Sequence, residues 1–72
     1  MWMSIGEEMG VGPNDIVGAI LGETGLPAKV VGQVDLRERH AFVEVAADAA
    51  NAILAKIKRT MIKGHRVKAK LA

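Results

Sequence analysis

The sequence contains no cysteine and no tyrosine, and its aromatic content is one tryptophan and one phenylalanine in 72 residues. Without cysteine there is neither a disulfide nor a thiolate metal site. The two histidines, His40 and His65, stand far apart with no ligand spacing around them. Long apolar runs are missing too. Nothing approaches the ~20 residues that a membrane span needs, and Met1-Trp2-Met3-Ser4-Ile5 runs into Gly6-Glu7-Glu8 instead of the apolar stretch of a secretory signal. No metal, no cofactor and no membrane partner is expected, and the lack of an export signal fits a cytoplasmic setting. Acidic residues are absent from one region altogether. All eight acids lie in residues 1–55 beside only Lys29, Arg37 and Arg39, a local formal charge of −5. Residues 56–72 hold Lys56, Lys58, Arg59, Lys63, Arg66, Lys68 and Lys70 with no acid, a local charge of +7. Such a basic end on an acidic body is either a solvated tail or a surface for a polyanion.

Half the chain is hydrophobic and a quarter charged, the composition of a globular domain with a thin core. No linker, repeat or low-complexity stretch divides it, so residues 1–72 are expected to form one domain. Residues 1–5 alternate, with Met1, Met3 and Ile5 on one face and Trp2 and Ser4 on the other, the period of a half-buried strand. Residues 6–12 form a glycine-rich loop. Gly12-Pro13-Asn14-Asp15 opens a helix, since proline suits the first helical position and an acid complements the positive end of the dipole. Ile16, Val17, Ile20, Leu21 and Thr24 give its buried stripe, and Gly25-Leu26-Pro27 stops it. Gly18 and Gly22 on this helix are compatible with close packing.

Pro27 to Val31 reads as a turn. Alternation returns with Val30, Gly32, Val34 and Leu36 on one face and Val31, Gln33, Asp35 and Arg37 on the other. After a turn at Glu38-Arg39, Ala41, Val43 and Val45 point inward and His40, Phe42 and Glu44 outward. Residues 46–59 read as an alanine-rich helix, with Ala46, Ala50, Ile53, Leu54 and Ile57 facing the core. Residues 62–65 read as a turn. A last strand follows with Val67, Ala69 and Leu71 inward and Arg66, Lys68 and Lys70 outward.

The order is βαββαβ. Two helices that must bury their stripes on the same sheet face, with right-handed crossovers, give the ferredoxin-like α+β fold: a four-stranded antiparallel sheet in the order 4-1-3-2 under two helices. Strands one and three are central, so Trp2, His40 and Phe42 come together on the open face. A thin core would ordinarily recruit its only two aromatics. Exposed aromatics on a sheet are stacking platforms for unpaired bases, and a basic neighbouring strand supplies phosphate contacts. The same rings could instead serve a protein–protein surface, including a dimer formed through the sheet, although dimerisation is not the expectation.

Catalysis finds no support. The 6–12 loop has no arginine or lysine to cradle an anion, and Gly6-x₃-Gly10-x-Gly12 has neither dinucleotide-binding spacing nor a P-loop lysine. Glu38 and His40 share the open face, where a solvated contact is the ordinary outcome.

Glu38-Arg39-His40-Ala41-Phe42-Val43-Glu44-Val45 resembles the RNP1 octapeptide of RNA-recognition-motif domains, matching at Ala41, Phe42 and Val43, and Met1-Trp2-Met3-Ser4-Ile5-Gly6 resembles RNP2 with Trp2 at the stacking position. A narrower resemblance covers nearly the whole chain. Gly12-Pro13-Asn14-Asp15-Ile16-Val17-Gly18-Ala19-Ile20, Glu23-Thr24-Gly25-Leu26-Pro27, Phe42-Val43-Glu44-Val45 and Ile62-Lys63-Gly64-His65-Arg66-Val67 look like the C-terminal RNA-binding domain of DbpA/CsdA-type bacterial DEAD-box RNA helicases. That resemblance implies a non-catalytic accessory domain that tethers a helicase core of the same parent chain to structured RNA such as ribosomal RNA. Glu7-Glu8 departs from the basic residues such domains tend to carry after the first strand. The residues expected at the RNA surface are Trp2, His40 and Phe42 for stacking, with Arg37, Arg39, Lys63, Arg66, Lys68 and Lys70 for phosphates.

Overall fold

Short strands and two helices follow from the alternating and helical stretches of the sequence. The computed structural model describes residues 1–71. Its elements are β1 (Trp2–Met3), α1 (Pro13–Thr24), β2 (Val31–Leu36), β3 (Ala41–Val45), α2 (Ala50–Ile57), β4 (Met61–Ile62), β5 (His65–Arg66) and β6 (Ala69–Lys70). Four strands pair antiparallel in the spatial order β2-β3-β1-β6, the 4-1-3-2 sheet expected, and β4 and β5 form a separate two-stranded hairpin.

The inward row crosses all four strands: Leu36 opposite Ala41, Ala41 opposite Met3, and Met3 opposite Ala69. Above it pack Ile16 and Ile20 of α1 and Ile53 and Ile57 of α2, all fully buried and joined in one apolar cluster with Ile5, Val43 and Val67. Removing this apolar surface from water is the main drive to fold, at roughly 25 cal/mol per Å².

Helix α1 is bounded by short-range hydrogen bonds. The Gly12 N–H donates to Asp15 Oδ2 at 2.8 Å, half of a capping box whose other half glycine cannot supply. At the other end Gly25 adopts the left-handed conformation, φ 68°, and its N–H donates to the Leu21 carbonyl at 2.8 Å. Gly18 and Gly22 face solvent with open space where a Cβ would stand, so they do not serve close packing. Gly6 does. A Cβ there would overlap the Glu38 carbonyl and the Arg39 amide, because the chain after β1 lies against the β2–β3 turn. Backbone bonds from Glu7 N–H to Arg37 O (2.8 Å) and from Glu8 N–H to Glu38 O (2.9 Å) hold it there. Residues Glu7–Met9 of that loop form one 3₁₀ turn.

Four expectations need correction. In β2, Val31 pairs with Val45 and Val34 with Val43, so three steps on one strand oppose two on the other. This bulge reverses the facing of the strand's start, and Val31 packs on the core beside Val34 and Leu36. Helix α2 begins at Ala50, not residue 46, because the Ala46 N–H still donates to the Val30 carbonyl as the strand ends, and residues 47–49 form the turn. It ends at Ile57, where Arg59 and Thr60 N–H groups bond three residues back and tighten the last turn. The expected turn at 62–65 is a hairpin: only Lys63 (φ 49°) and Gly64 (φ 81°) turn, while Ile62, itself buried, pairs with His65. Leu71, expected inward, is 44% exposed, lying beyond the last paired residue of the edge strand.

Two stability tests follow from these contacts. Gly6→Ala should destabilise by about 1–3 kcal/mol through backbone overlap, whereas Gly22→Ala should stabilise by about 0.5–1 kcal/mol; chemical denaturation of both variants checks the pair. The Gly12 N–H holds the Asp15 carboxyl below its ordinary value of 3.8, with the Lys63 ammonium adding to the effect against partial desolvation. A folded-state value below the unfolded one means that the ionised carboxylate stabilises the fold above about pH 4 and that this stabilisation is lost as pH falls further. Asp15→Asn should therefore flatten the fall of the melting temperature between about pH 4 and pH 2.

Candidate nucleic-acid interface

The register that buries Met3 and Ala41 turns their neighbours outward. Trp2 stands opposite Phe42 on one side and Lys70 on the other, and Phe42 stands opposite Asp35. Opposite residues share a face, so Asp35, Phe42, Trp2 and Lys70 form one row across the open side of the sheet. Phe42 is 42% exposed and Trp2 half-buried. Lys70 Nζ lies 5.3 Å from the centre of a Trp2 ring, a cation–π arrangement. His40 stands edge-on to Phe42, with ring centres 5.4 Å apart and planes at 87°. The three rings expected on the open face are therefore there, Trp2 and Phe42 in direct register and His40 packed against Phe42.

The cations divide into two groups. Arg37 is held by Asp35, with Nε to Oδ1 at 3.1 Å and NH2 to Oδ2 at 2.8 Å, and the carboxylate raises the guanidinium's already high pKa. Arg39 Nε contacts Glu8 at 3.3 Å in an exposed pair, one of the two acids that follow β1. Lys63 donates to the Gly10 carbonyl at 3.1 Å and lies 3.5 Å from the Asp15 carboxylate, so it ties the β4–β5 hairpin to the start of α1. Among the described residues these are the only salt bridges, and Lys68 and Lys70 take part in none. Lys68 is exposed one step before β6, its own N–H donating to the Ser4 hydroxyl at 2.9 Å.

Arg66 is not on the fourth strand of the main sheet. It lies in β5 opposite Met61 and lines a cleft with Lys58, Arg59, Thr60 and Met61. The hairpin takes up the residues that a simple alternation assigns to one long strand, and it moves Arg66 away from the aromatic row toward the end of α2. Lys58 and Arg59, whose obvious purpose in the sequence is to complement the helix dipole, thereby become a second basic cluster. Their position is legible only once Lys63-Gly64 is recognised as a two-residue hairpin turn. A further shallow cleft, lined by Arg37, Glu38, Arg39 and His40, opens at the turn between β2 and β3.

With this geometry in place, comparison with known families is decisive. The family model described as the DbpA RNA-binding domain matches residues 1–71. The chain belongs to that family. No curated protein matches it. As a DbpA-type RNA-binding domain it binds RNA, and RNA is its partner. Among the described residues no helix is long and apolar enough to cross a membrane.

Adjacent residues on β3 test the facing of this domain's sheet. Val43, 1% exposed, should cost about 1–3 kcal/mol on replacement by alanine. Phe42→Ala should cost less than about 1 kcal/mol, since its contacts are cross-strand and half-solvated. Thermal or urea melts of the two variants give the comparison, and equal losses would contradict the facing.

Proposed function

We propose that this domain grips RNA on the open face of its sheet and tethers an ATP-dependent DEAD-box helicase core of the same parent chain to structured RNA such as ribosomal RNA, in the cytoplasm, with residues 1–72 acting as one binding unit. The observation that carries the reading is the row of Phe42, Trp2 and Lys70 in mutual register on the solvated side. Unpaired bases stack on the exposed rings, and His40 supports the Phe42 ring edge-on. Lys68 and Lys70 meet the phosphates of the same strand. Arg66, joined by Lys58 and Arg59 at the hairpin cleft, extends the basic surface to a neighbouring stretch of backbone. Arg37, Arg39 and Lys63 contribute positive potential to the approach, but each also has an intramolecular partner to satisfy. The helicase part of the proposal is supported by the resemblance of the proline-led helix and the Phe42-Val43-Glu44-Val45 strand to the C-terminal domains of such enzymes, and by the family.

Trp2, the sole tryptophan, makes fluorescence titration with single-stranded and hairpin RNA a direct test. Phe42→Ala and Trp2→Ala should each weaken binding about 5- to 150-fold, the equivalent of ~1–3 kcal/mol per stacked base; the Trp2 variant is followed with labelled RNA. Three to five phosphate contacts predict a log–log salt slope of roughly −2 to −3.5 on a single strand, and Lys68→Gln with Lys70→Gln should flatten it by about 1.4 units, roughly 0.7 per contact. Unchanged affinity in both aromatic variants would overturn the stacking reading. A weak salt dependence would point to a protein interface in its place.

A further inference from the structure

The open row has a fourth member, Asp35, and its chemistry differs from that of the others. It stands directly opposite Phe42, which places the two Cβ atoms about 4.5–5.5 Å apart on one face. Its carboxylate is oriented by a neighbour. Arg37 grips both oxygens through a two-pronged contact, Nε to Oδ1 at 3.1 Å and NH2 to Oδ2 at 2.8 Å, while the Asp35 side chain stays 53% exposed. An ionised carboxylate offers about four lone-pair positions and no hydrogen to donate. The guanidinium occupies one on each oxygen, and the exposure of the side chain leaves the others available on the face that carries Phe42. On the far side of Phe42 stands Trp2, with the Lys70 ammonium over it. The platform is thus polarised: a fixed pure acceptor flanks the exposed ring on β2, and a cation lies on the opposite side at β6.

We propose that Asp35 selects the base stacked on Phe42, accepting a hydrogen bond from the amino group of cytosine, adenine or guanine and disfavouring uracil, with Arg37 as the residue that positions it. The inference rests on the reading that RNA stacks on Phe42. Its physical basis is the matching of donors and acceptors. Cytosine carries an exocyclic amino donor at the position where uracil carries a carbonyl oxygen, and the two pyrimidines are otherwise nearly identical in shape and stacking area. A carboxylate facing the amino group gains a charge-assisted hydrogen bond. Facing the O4 carbonyl of uracil, it meets a second acceptor with no hydrogen between them, and the one donor on that edge, N3–H, is flanked by two carbonyl oxygens that repel the carboxylate, so uracil binds less well than cytosine. Exposure of the site to solvent places the expected discrimination at the low end of what a good base contact supplies.

The test uses two labelled single-stranded octamers, all cytidine and all uridine, followed by fluorescence anisotropy at fixed salt. The unmodified domain should bind the cytidine octamer about fivefold or more tightly than the uridine one. Asp35→Asn, nearly isosteric and able to donate as well as accept, should bring that ratio close to one. Taking the ratio removes the general gain in affinity that loss of a negative charge gives for any polyanion. Arg37→Gln should narrow the ratio as well, since it frees the carboxylate to rotate. A wild-type ratio near one, or a ratio that Asp35→Asn leaves unmoved, overturns the proposal. Phe42→Ala separates the two levels. If it weakens binding of both octamers while Asp35→Asn leaves their ratio intact, only the base-selecting role of Asp35 falls. If Phe42→Ala changes neither affinity, stacking on that ring falls, and the role of Asp35 with it.

Discussion

Two cross-strand pairs, Trp2 with Phe42 and Met3 with Ala41, determine what each face of the sheet carries. Side chains alternate along a strand with a period of two, so one register sets both faces at once. The pairing that places the fully buried Met3 and Ala41 under the helices leaves Trp2 and Phe42 no position but the open side. A slip of one residue would expose the central methionine and drive the tryptophan into a core with no room for it. The proposed binding face is therefore a consequence of the hydrophobic core: apolar burial fixes the register, and the register displays the rings. Core and open face are set by neighbouring residues of the same two strands pointing in opposite directions.

So short a central strand cannot hold that register alone, and the structure supplements it on both sides. The Val43 N–H donates to the Met1 carbonyl at 2.8 Å, and the Ser4 N–H to the Lys68 carbonyl at 2.8 Å. Beyond them the chain at Gly6 settles onto the β2–β3 turn, and the Glu7 and Glu8 amides continue the pairing to the Arg37 and Glu38 carbonyls. Glycine is needed at position 6 because two backbone segments approach too closely for a Cβ between them. The acids that follow are thereby fixed near Arg39, at the same end of the sheet as His40. The loop after β1 is thus a continuation of the sheet by other means, and β1, which carries Trp2, is anchored at both of its ends.

Where the sequence pattern was unambiguous, it predicted the structure. Strict alternation on β1 and β3 gave the facing of Trp2 and Phe42, and proline and glycine bracketed α1 to the residue. The misreadings share one cause: the local pattern was degenerate. Val30, Val31 and Val34 are all apolar, so a count of two cannot reveal the extra residue that turns Val31 inward. Residues 46–50 are nearly all alanine, which gives a helix no starting mark, and the start was set by the Ala46 N–H staying in the sheet. Arg66 alternated convincingly with Lys68 and Lys70, yet the left-handed pair Lys63-Gly64 folds it into a separate hairpin. The Asp35–Arg37 contact was out of reach for a different reason. Both residues were placed outward, but on a strand with no aromatic of its own. The significance of Asp35 comes from a ring on the next strand.

The charge asymmetry along the chain becomes, in three dimensions, a division between cations that are engaged and cations that are not. Two of the three bases in the acidic body, Arg37 and Arg39, are paired with carboxylates, and Lys63 of the basic end is drawn back to Asp15. Lys58, Arg59, Arg66, Lys68 and Lys70 enter no salt bridge among the described residues. The formal net charge of +2 therefore understates what an approaching polyanion meets along the edge strand and the hairpin. Exposed ion pairs are weak, about 0–1 kcal/mol each, so the paired arginines add little to stability, and their value lies in orientation. A guanidinium that spends its hydrogen bonds holding Asp35 gives up part of its capacity for phosphate. In return it leaves an oriented acceptor opposite the most exposed ring. On the proposed division of labour the unpaired lysines supply attraction regardless of sequence, and the paired arginine positions the residue that discriminates.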